Sequence, residues 1–236
     1  MPRRREQHRP YTRDCASATR LPELALTSPR LCLLCLNQSC ANNPVPFTSH
    51  AINSAKMAGK EATIYIVDVG ASTEECHNGR VESDLEYGMR YVWDKIAETM
   101  SANRTTLTVG IVGLRTDETN NLQYDNAEDD DKESYEYISV LMEMGPMKMS
   151  DLKPLQQKIK PSMTNEGDAV SAIVVAIELM EKHTALKSGL PGKYKRKIVL
   201  LTDGQGSISD DDIAPIADRI NEFNIELVVM CVIRHL

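Results

Sequence analysis

Five short, almost continuously apolar runs alternate with helix-like segments, and this alternation most constrains what the chain can fold into. A strand that is apolar on both of its faces must be covered on both. We therefore predict an α/β fold, a doubly wound, mostly parallel sheet with helices on both faces in a three-layer, Rossmann-type arrangement. The runs are residues 62–69, 107–114, 136–143, 197–203 and 225–232.

The segments between these runs carry helix signals. Residues 82–101 place apolar side chains at helical spacing on one face, and residues 167–182 are apolar nearly all round, which predicts a buried helix. Ser150 is predicted to cap a short helix, and Ser209 with the aspartates after it to open a last one. The acidic residues 124–134 are predicted to form a mobile, solvated loop.

Residues 1–56 differ from the rest of the chain in charge. They carry eight Lys and Arg against three Asp and Glu, a net +5, which leaves −12 on residues 57–236. We predict a disordered basic leader, which could be a gene-model extension, with a targeting peptide as the less favoured alternative. The acidic body is a poor nucleic-acid binder on its own, because phosphate binding depends on Lys and Arg. No apolar run approaches the about 20 residues of a membrane helix, so no membrane association is expected.

Two of the predicted strands end in aspartate, at Asp68 and Asp203, where a parallel sheet forms its binding edge. With Ser72 and Thr164 they resemble the von Willebrand factor A fold, whose metal motif is Asp-x-Ser-x-Ser, then Thr, then Asp. Gly70 stands at the first Ser position and removes one hydroxyl ligand. We therefore expect no metal, and no cofactor. The alternative is a metal-dependent protein-binding or adhesion module in which water replaces that ligand.

Catalytic signatures are weak. The string SGLPGKYKRK, residues 188–197, comes nearest to a phosphate-binding loop, but Tyr194 follows Gly192-Lys193 where Ser or Thr is needed. It also precedes a predicted strand instead of opening a helix. No Ser or Cys lies in a nucleophile elbow, so no catalytic residue is predicted.

Longer stretches resemble the amino-terminal A domain of the Ku family, in the form found in the larger subunit of the fungal heterodimer. The resemblance covers about residues 57–230, and GLRTDETNN, residues 113–121, is its most specific string. Other matching stretches are EATIYIVDVGASTEECHNGRVESDLEYGMRYVWDKI, YEYISVL and IKPSMTNEGDAVSAIVVAIELM.

This resemblance implies pairing with the smaller Ku subunit and binding to double-strand DNA ends in the nucleus. It implies roles in non-homologous end joining, DNA recombination and telomere maintenance, and it carries the family label of ATP-dependent DNA helicase, an ATP-binding hydrolase. It also implies a DNA-encircling β-barrel after the A domain. We therefore expect residues 57–236 to be an A domain truncated before that barrel, with DNA ends bound only by the full-length heterodimer.

The resemblance further implies that the domain contacts other proteins, including end-joining and telomere factors. We expect the contact surface on the loop after the second strand and on the exposed face of the helix at residues 82–101. The candidate residues are Arg115, Thr116, Asp117, Glu118, Glu86 and Arg90.

Overall fold

The chain forms one five-stranded sheet with helices packed around it. The computed structural model describes residues 59–129, 131–188, 190, 192–206, 208–209 and 213–233. The predicted leader and the aspartates at 210–212 lie outside the described residues. The strands are β1 (Lys60–Asp68), β2 (Leu107–Leu114), β3 (Ile138–Gly145), β4 (Tyr194–Thr202) and β5 (Ile225–Cys231). The helices are α1 (Asp84–Ser101), α2 (Leu122–Asn126), α3 (Met149–Lys158), α4 (Ala169–Thr184) and α5 (Ile213–Glu222).

The sheet has the order β3-β2-β1-β4-β5. β1 pairs in parallel with β2 and β4, β4 pairs in parallel with β5, and β3 is antiparallel to β2. The register places Asp68 beside Leu114 and Val67 beside Leu201. The four parallel strands β1, β2, β4 and β5 therefore end at one edge, which we call the carboxyl edge, and the predicted mostly parallel α/β fold is confirmed.

Alternation along β1 divides the core into two layers. Ile64 and Ile66 pack with α4 on one face, and Tyr65 and Val67 pack with α1 on the other. The α1 side chains at Leu85, Met89, Val92 and Ile96 are buried, as their helical spacing predicts. In the part of the chain described, no helix is both long and apolar enough to cross a lipid bilayer.

Two local predictions differ from the structure. Ser150 does not cap α3: the N-cap is Lys148, whose backbone N–H donates to the Asp151 carboxylate at 2.9 Å. The acidic stretch predicted as a loop contains α2 and a 3-10 turn at Lys132–Tyr135. The Asn121 side chain supports both, because it accepts from the Tyr124 N–H and donates to the Tyr135 carbonyl.

Gly88 of helix α1 lies close against side chains of the sheet and of the residue after it. A Cβ there would lie 2.8 Å from the Leu201 side chain and 2.9 Å from that of Val232. We expect Gly88→Ala to destabilise the fold by about 1–3 kcal/mol, because these buried groups must shift. Urea unfolding measures this, with Gly145→Ala as control, since a Cβ at Gly145 meets nothing within 4 Å. Equal midpoints for the two variants would contradict the close contact.

At the opposite edge of the sheet, Arg196 is buried and joins the ends of two helices. Its guanidinium donates to the Thr184 hydroxyl at 2.9 Å, to the Phe223 carbonyl at 3.2 Å and to the Gly192 carbonyl at 2.7 Å. Thr184 ends α4 and Phe223 follows α5, so one side chain links the carboxyl-terminal ends of both helices.

We expect Arg196→Met to destabilise the fold by about 2–4 kcal/mol, because it keeps the length of the side chain but removes the donor to the Phe223 carbonyl and to the Thr184 hydroxyl. Thermal or urea unfolding measures the change. Lys195→Met is the matched control, because Lys195 is an exposed neighbour on the same strand. A variant as stable as that control would show that the buried guanidinium contributes nothing net.

Candidate functional site

Three loops, which follow β1, precede α4 and follow β4, meet at the carboxyl edge and are joined by hydrogen bonds. The Ala71 N–H donates to the Thr164 carbonyl at 2.8 Å, and the Ser72 N–H donates to the Asn165 side chain at 2.9 Å. Asp203 directly follows β4, and the Ser72 hydroxyl donates to its carboxylate at 2.5 Å. The structure therefore brings together the loops that carry the predicted motif positions.

Both aspartates are almost fully enclosed. Asp68 is 2 % exposed: its Oδ1 accepts from the Gly70 N–H at 3.1 Å and its Oδ2 from the Thr202 hydroxyl at 2.7 Å. Asp203 is 0 % exposed: its Oδ1 accepts from the Gln205 N–H at 2.9 Å and its Oδ2 from Ser72. All four carboxylate oxygens thus have a donor from the protein itself.

A positive side chain lies between these carboxylates. Arg115, the first residue after β2, is 1 % exposed. Its Nη1 lies 2.9 Å from Asp68 Oδ2 and 3.7 Å from Asp203 Oδ1. Its backbone has a φ of 59°, a left-handed conformation that turns the chain inward directly after the strand. The site is therefore a triad of two buried carboxylates and one buried guanidinium, which we call the Arg115 triad.

Three glycines make room for the Arg115 side chain. A Cβ at Gly70 would lie 2.9 Å from Arg115 Cδ, and one at Gly167 would lie 3.3 Å from Cγ. A Cβ at Gly206 would overlap the guanidinium itself. Gly70 thus does more than remove a hydroxyl ligand, because its lack of a side chain lets the arginine in.

Burial has the largest effect on the pKa of Asp68. Burial raises the pKa of Asp68, and the Asp203 charge raises it further. The Arg115 charge and the hydrogen bonds from Thr202 and Gly70 lower it again. Arg115 is therefore the positive charge that allows two carboxylates to be buried side by side.

The residues present do not fit the divalent ion that the A-type motif implies. The guanidinium takes the position between the carboxylates that such an ion would need. The Thr164 hydroxyl is also engaged, since it accepts from the Glu166 N–H at 3.0 Å. No group of three or more His, Cys, Asp or Glu side chains suited to a metal occurs among the described residues.

Of the six candidate contact residues, two are buried and four are exposed. Arg115 is buried against Asp68, so the interpretation of its charge as a surface feature is corrected. Thr116 is 8 % exposed and its hydroxyl donates to the Glu118 carbonyl at 2.6 Å. Asp117 and Glu118 are exposed at the carboxyl edge, and Glu86 and Arg90 are exposed on α1. For these four, partner contact stays a prediction.

Sequence reasoning missed the triad because the sequence does not show which strand ends lie opposite each other. A signal was present: a single arginine follows β2 at the same edge as the two aspartates, and a glycine replaces the motif serine. The prediction that Gly192-Lys193 precedes a strand is confirmed, because Tyr194 opens β4.

Gly206 tests how firmly the guanidinium is held. We expect Gly206→Ala to destabilise the fold by about 1–3 kcal/mol, since the new Cβ must displace either Arg115 or the loop that follows Asp203. Thermal unfolding measures the effect. Gly59→Ala is the control, because a Cβ at Gly59 meets nothing within 4 Å. If both variants unfold at the same temperature, Arg115 is not held where the structure places it.

The chain is similar in sequence to known proteins. Residues 62–223 match the family described as the Ku70/Ku80 N-terminal alpha/beta domain. A Neurospora crassa protein named ATP-dependent DNA helicase II subunit 2 is 51 % identical over 174 residues, 74 % of this chain and 23 % of the relative. A protein of the same name from Chaetomium globosum is 51 % identical over 74 % of this chain and 22 % of the relative. Another, from Schizosaccharomyces pombe, is 38 % identical over 73 % of this chain and 23 % of the relative.

These alignments span 22–23 % of the length of the relatives. The family match covers more than half of the chain, from β1 into α5. On these grounds the chain belongs to the Ku70/Ku80 N-terminal alpha/beta domain family.

Proposed function

We propose that this chain is the A-domain portion of a Ku large subunit. The full-length protein would pair with the smaller Ku subunit and bind double-strand DNA ends in the nucleus, in end joining and telomere maintenance. The observation that carries the proposal is the match from β1 into α5, together with relatives that all bear the name of one subunit.

The charge of the domain argues that its own role is contact with proteins. Residues 57–236 carry a net charge of −12, which repels DNA phosphates. DNA-end binding is therefore proposed for the heterodimer as a whole. The word helicase comes from the names of the relatives, and we expect no ATP hydrolysis from this chain alone.

The loop after β2 suits such a contact because it holds exposed acidic residues in a defined conformation. The Asp117 carboxylate accepts from the Met163 N–H at 2.7 Å, and the Glu118 carbonyl accepts from the Thr116 hydroxyl. These bonds hold two exposed acidic residues on a backbone fixed by the buried triad. We propose that this acidic pair contacts a basic segment of an end-joining or telomere factor, because fixed charges favour a partner of opposite sign.

A domain replacement tests the proposal. The segment of the Neurospora crassa relative that aligns with this chain is exchanged for the matching residues of this chain, and the chimaera is coexpressed with the smaller Ku subunit. We expect the two subunits to coelute and to bind linear duplex DNA but not closed circular DNA. A chimaera that folds and expresses like its parent but does not pair with the smaller subunit would overturn the proposal.

Charge reversal then tests the acidic pair in the same chimaera. We expect Asp117→Lys combined with Glu118→Lys to leave DNA-end binding intact and to lower plasmid end joining in cells severalfold, because the contact with the basic partner is lost. Glu61→Lys is the control, since Glu61 is exposed at the opposite end of β1. Equal end joining by both variants would remove the acidic pair from the contact surface.

A further inference from the structure

We propose that Arg115 is a tethered cation that takes the place of the divalent ion of A-type metal sites, and that its removal exposes a divalent-cation site on Asp68, Ser72 and Asp203. This inference does not rest on the proposed function, because it concerns only the chemistry of the carboxyl edge.

The first support is charge. Asp68 and Asp203 are 2 % and 0 % exposed, and Nη1 of Arg115 lies 2.9 Å from an oxygen of the first and 3.7 Å from an oxygen of the second, so the two carboxylates are buried around one point. Two buried carboxylates need a positive charge nearby, since each loses its hydration on burial. Arg115 is the positive side chain that forms ion pairs with both of them.

The second support is how the guanidinium is held. Its Nη1 donates to Asp68 Oδ2 at 2.9 Å and forms an ion pair with Asp203 Oδ1 at 3.7 Å. Its buried Nε, in contrast, has no hydrogen-bond partner. An arginine recruited for its hydrogen bonds would use its whole fork of donors. The position of Arg115 is therefore set by charge, which is the property that it shares with a metal ion.

The third support is the set of groups that would remain without the arginine. Asp68 Oδ2 and Asp203 Oδ1 both face the space that Nη1 fills. The Ser72 hydroxyl donates a hydrogen bond to the other oxygen of Asp203. Carboxylate and hydroxyl oxygens are the ligands that Mg²⁺ and Mn²⁺ prefer, with water completing the shell. The three glycines that accommodate Arg115 would leave room for that water.

One consequence separates this chain from the metal-dependent alternative. A tethered cation cannot be removed by chelation, so the carboxyl edge keeps its shape at any concentration of divalent ions. The acidic loop after β2 begins at Arg115. Its conformation should therefore also be independent of divalent ions.

Thermal unfolding of the whole 236-residue chain, in EDTA and in 10 mM Mg²⁺ or Mn²⁺, tests the proposal. We expect the unmodified chain to unfold at the same temperature in all three. Arg115→Ala should unfold about 10 °C lower in EDTA, because a buried charge pair is broken, and should recover much of that loss with the metal. Arg115→Lys should stay insensitive to metal, since it keeps a tethered cation.

Two further variants identify the ligands. Adding Ser72→Ala to Arg115→Ala should abolish the recovery by metal, because one oxygen ligand is lost. Adding Gly70→Ser to Arg115→Ala should strengthen the recovery, because it restores the missing hydroxyl. In the unmodified chain Gly70→Ser should only destabilise, since its Cβ would press on Arg115.

Three outcomes would overturn the proposal. One is stabilisation of the unmodified chain by Mg²⁺ and its destabilisation by EDTA. Another is an Arg115→Ala variant whose unfolding temperature metal leaves unchanged. The last is a variant that is unfolded by circular dichroism both without metal and with 10 mM Mn²⁺. Arg90→Ala, which removes an exposed arginine, should match the unmodified chain under every condition.

Discussion

The ion pairs between Arg115 and the carboxylates of Asp68 and Asp203 are the interaction on which the carboxyl edge of this domain depends. Each aspartate ends or follows a central strand, and Arg115 follows a third. The charges therefore join the ends of three strands at one point below the surface. The loops after those strands therefore begin at residues that the ion pairs hold in place. One of these loops carries Asp117 and Glu118.

The surrounding backbone is organised to make that burial possible. Gly70, Gly167 and Gly206 leave the volume that the arginine occupies, and the N–H groups of Gly70 and Gln205 supply donors to the carboxylates. The cost of burying charge is offset only when every oxygen finds a partner. Here each carboxylate oxygen has a donor, so the two aspartates are satisfied by groups of the protein itself.

This closed site fits the proposed role of the domain. A metal-dependent A domain binds its partner through an ion, whereas a domain with the internal cation that we propose would have to use surface side chains instead. The acidic surface and the fixed loop after β2 provide such side chains. The same acidity is the reason why we propose the DNA contact for the rest of a Ku heterodimer and not for this domain.

The sequence by itself determined the fold class, because runs that are apolar on both faces can be satisfied only inside a layered sheet. It also located β2 and placed Asp68 and Asp203 at strand ends. It did not locate the start of β4, where Tyr194 to Arg196 are polar and are held in the strand by pairing with β1. Only the tertiary structure showed that Arg115 is buried, because an arginine in a loop sequence is normally expected to be exposed. Its burial follows from which strand ends become neighbours, a property of the assembled sheet that no local pattern encodes.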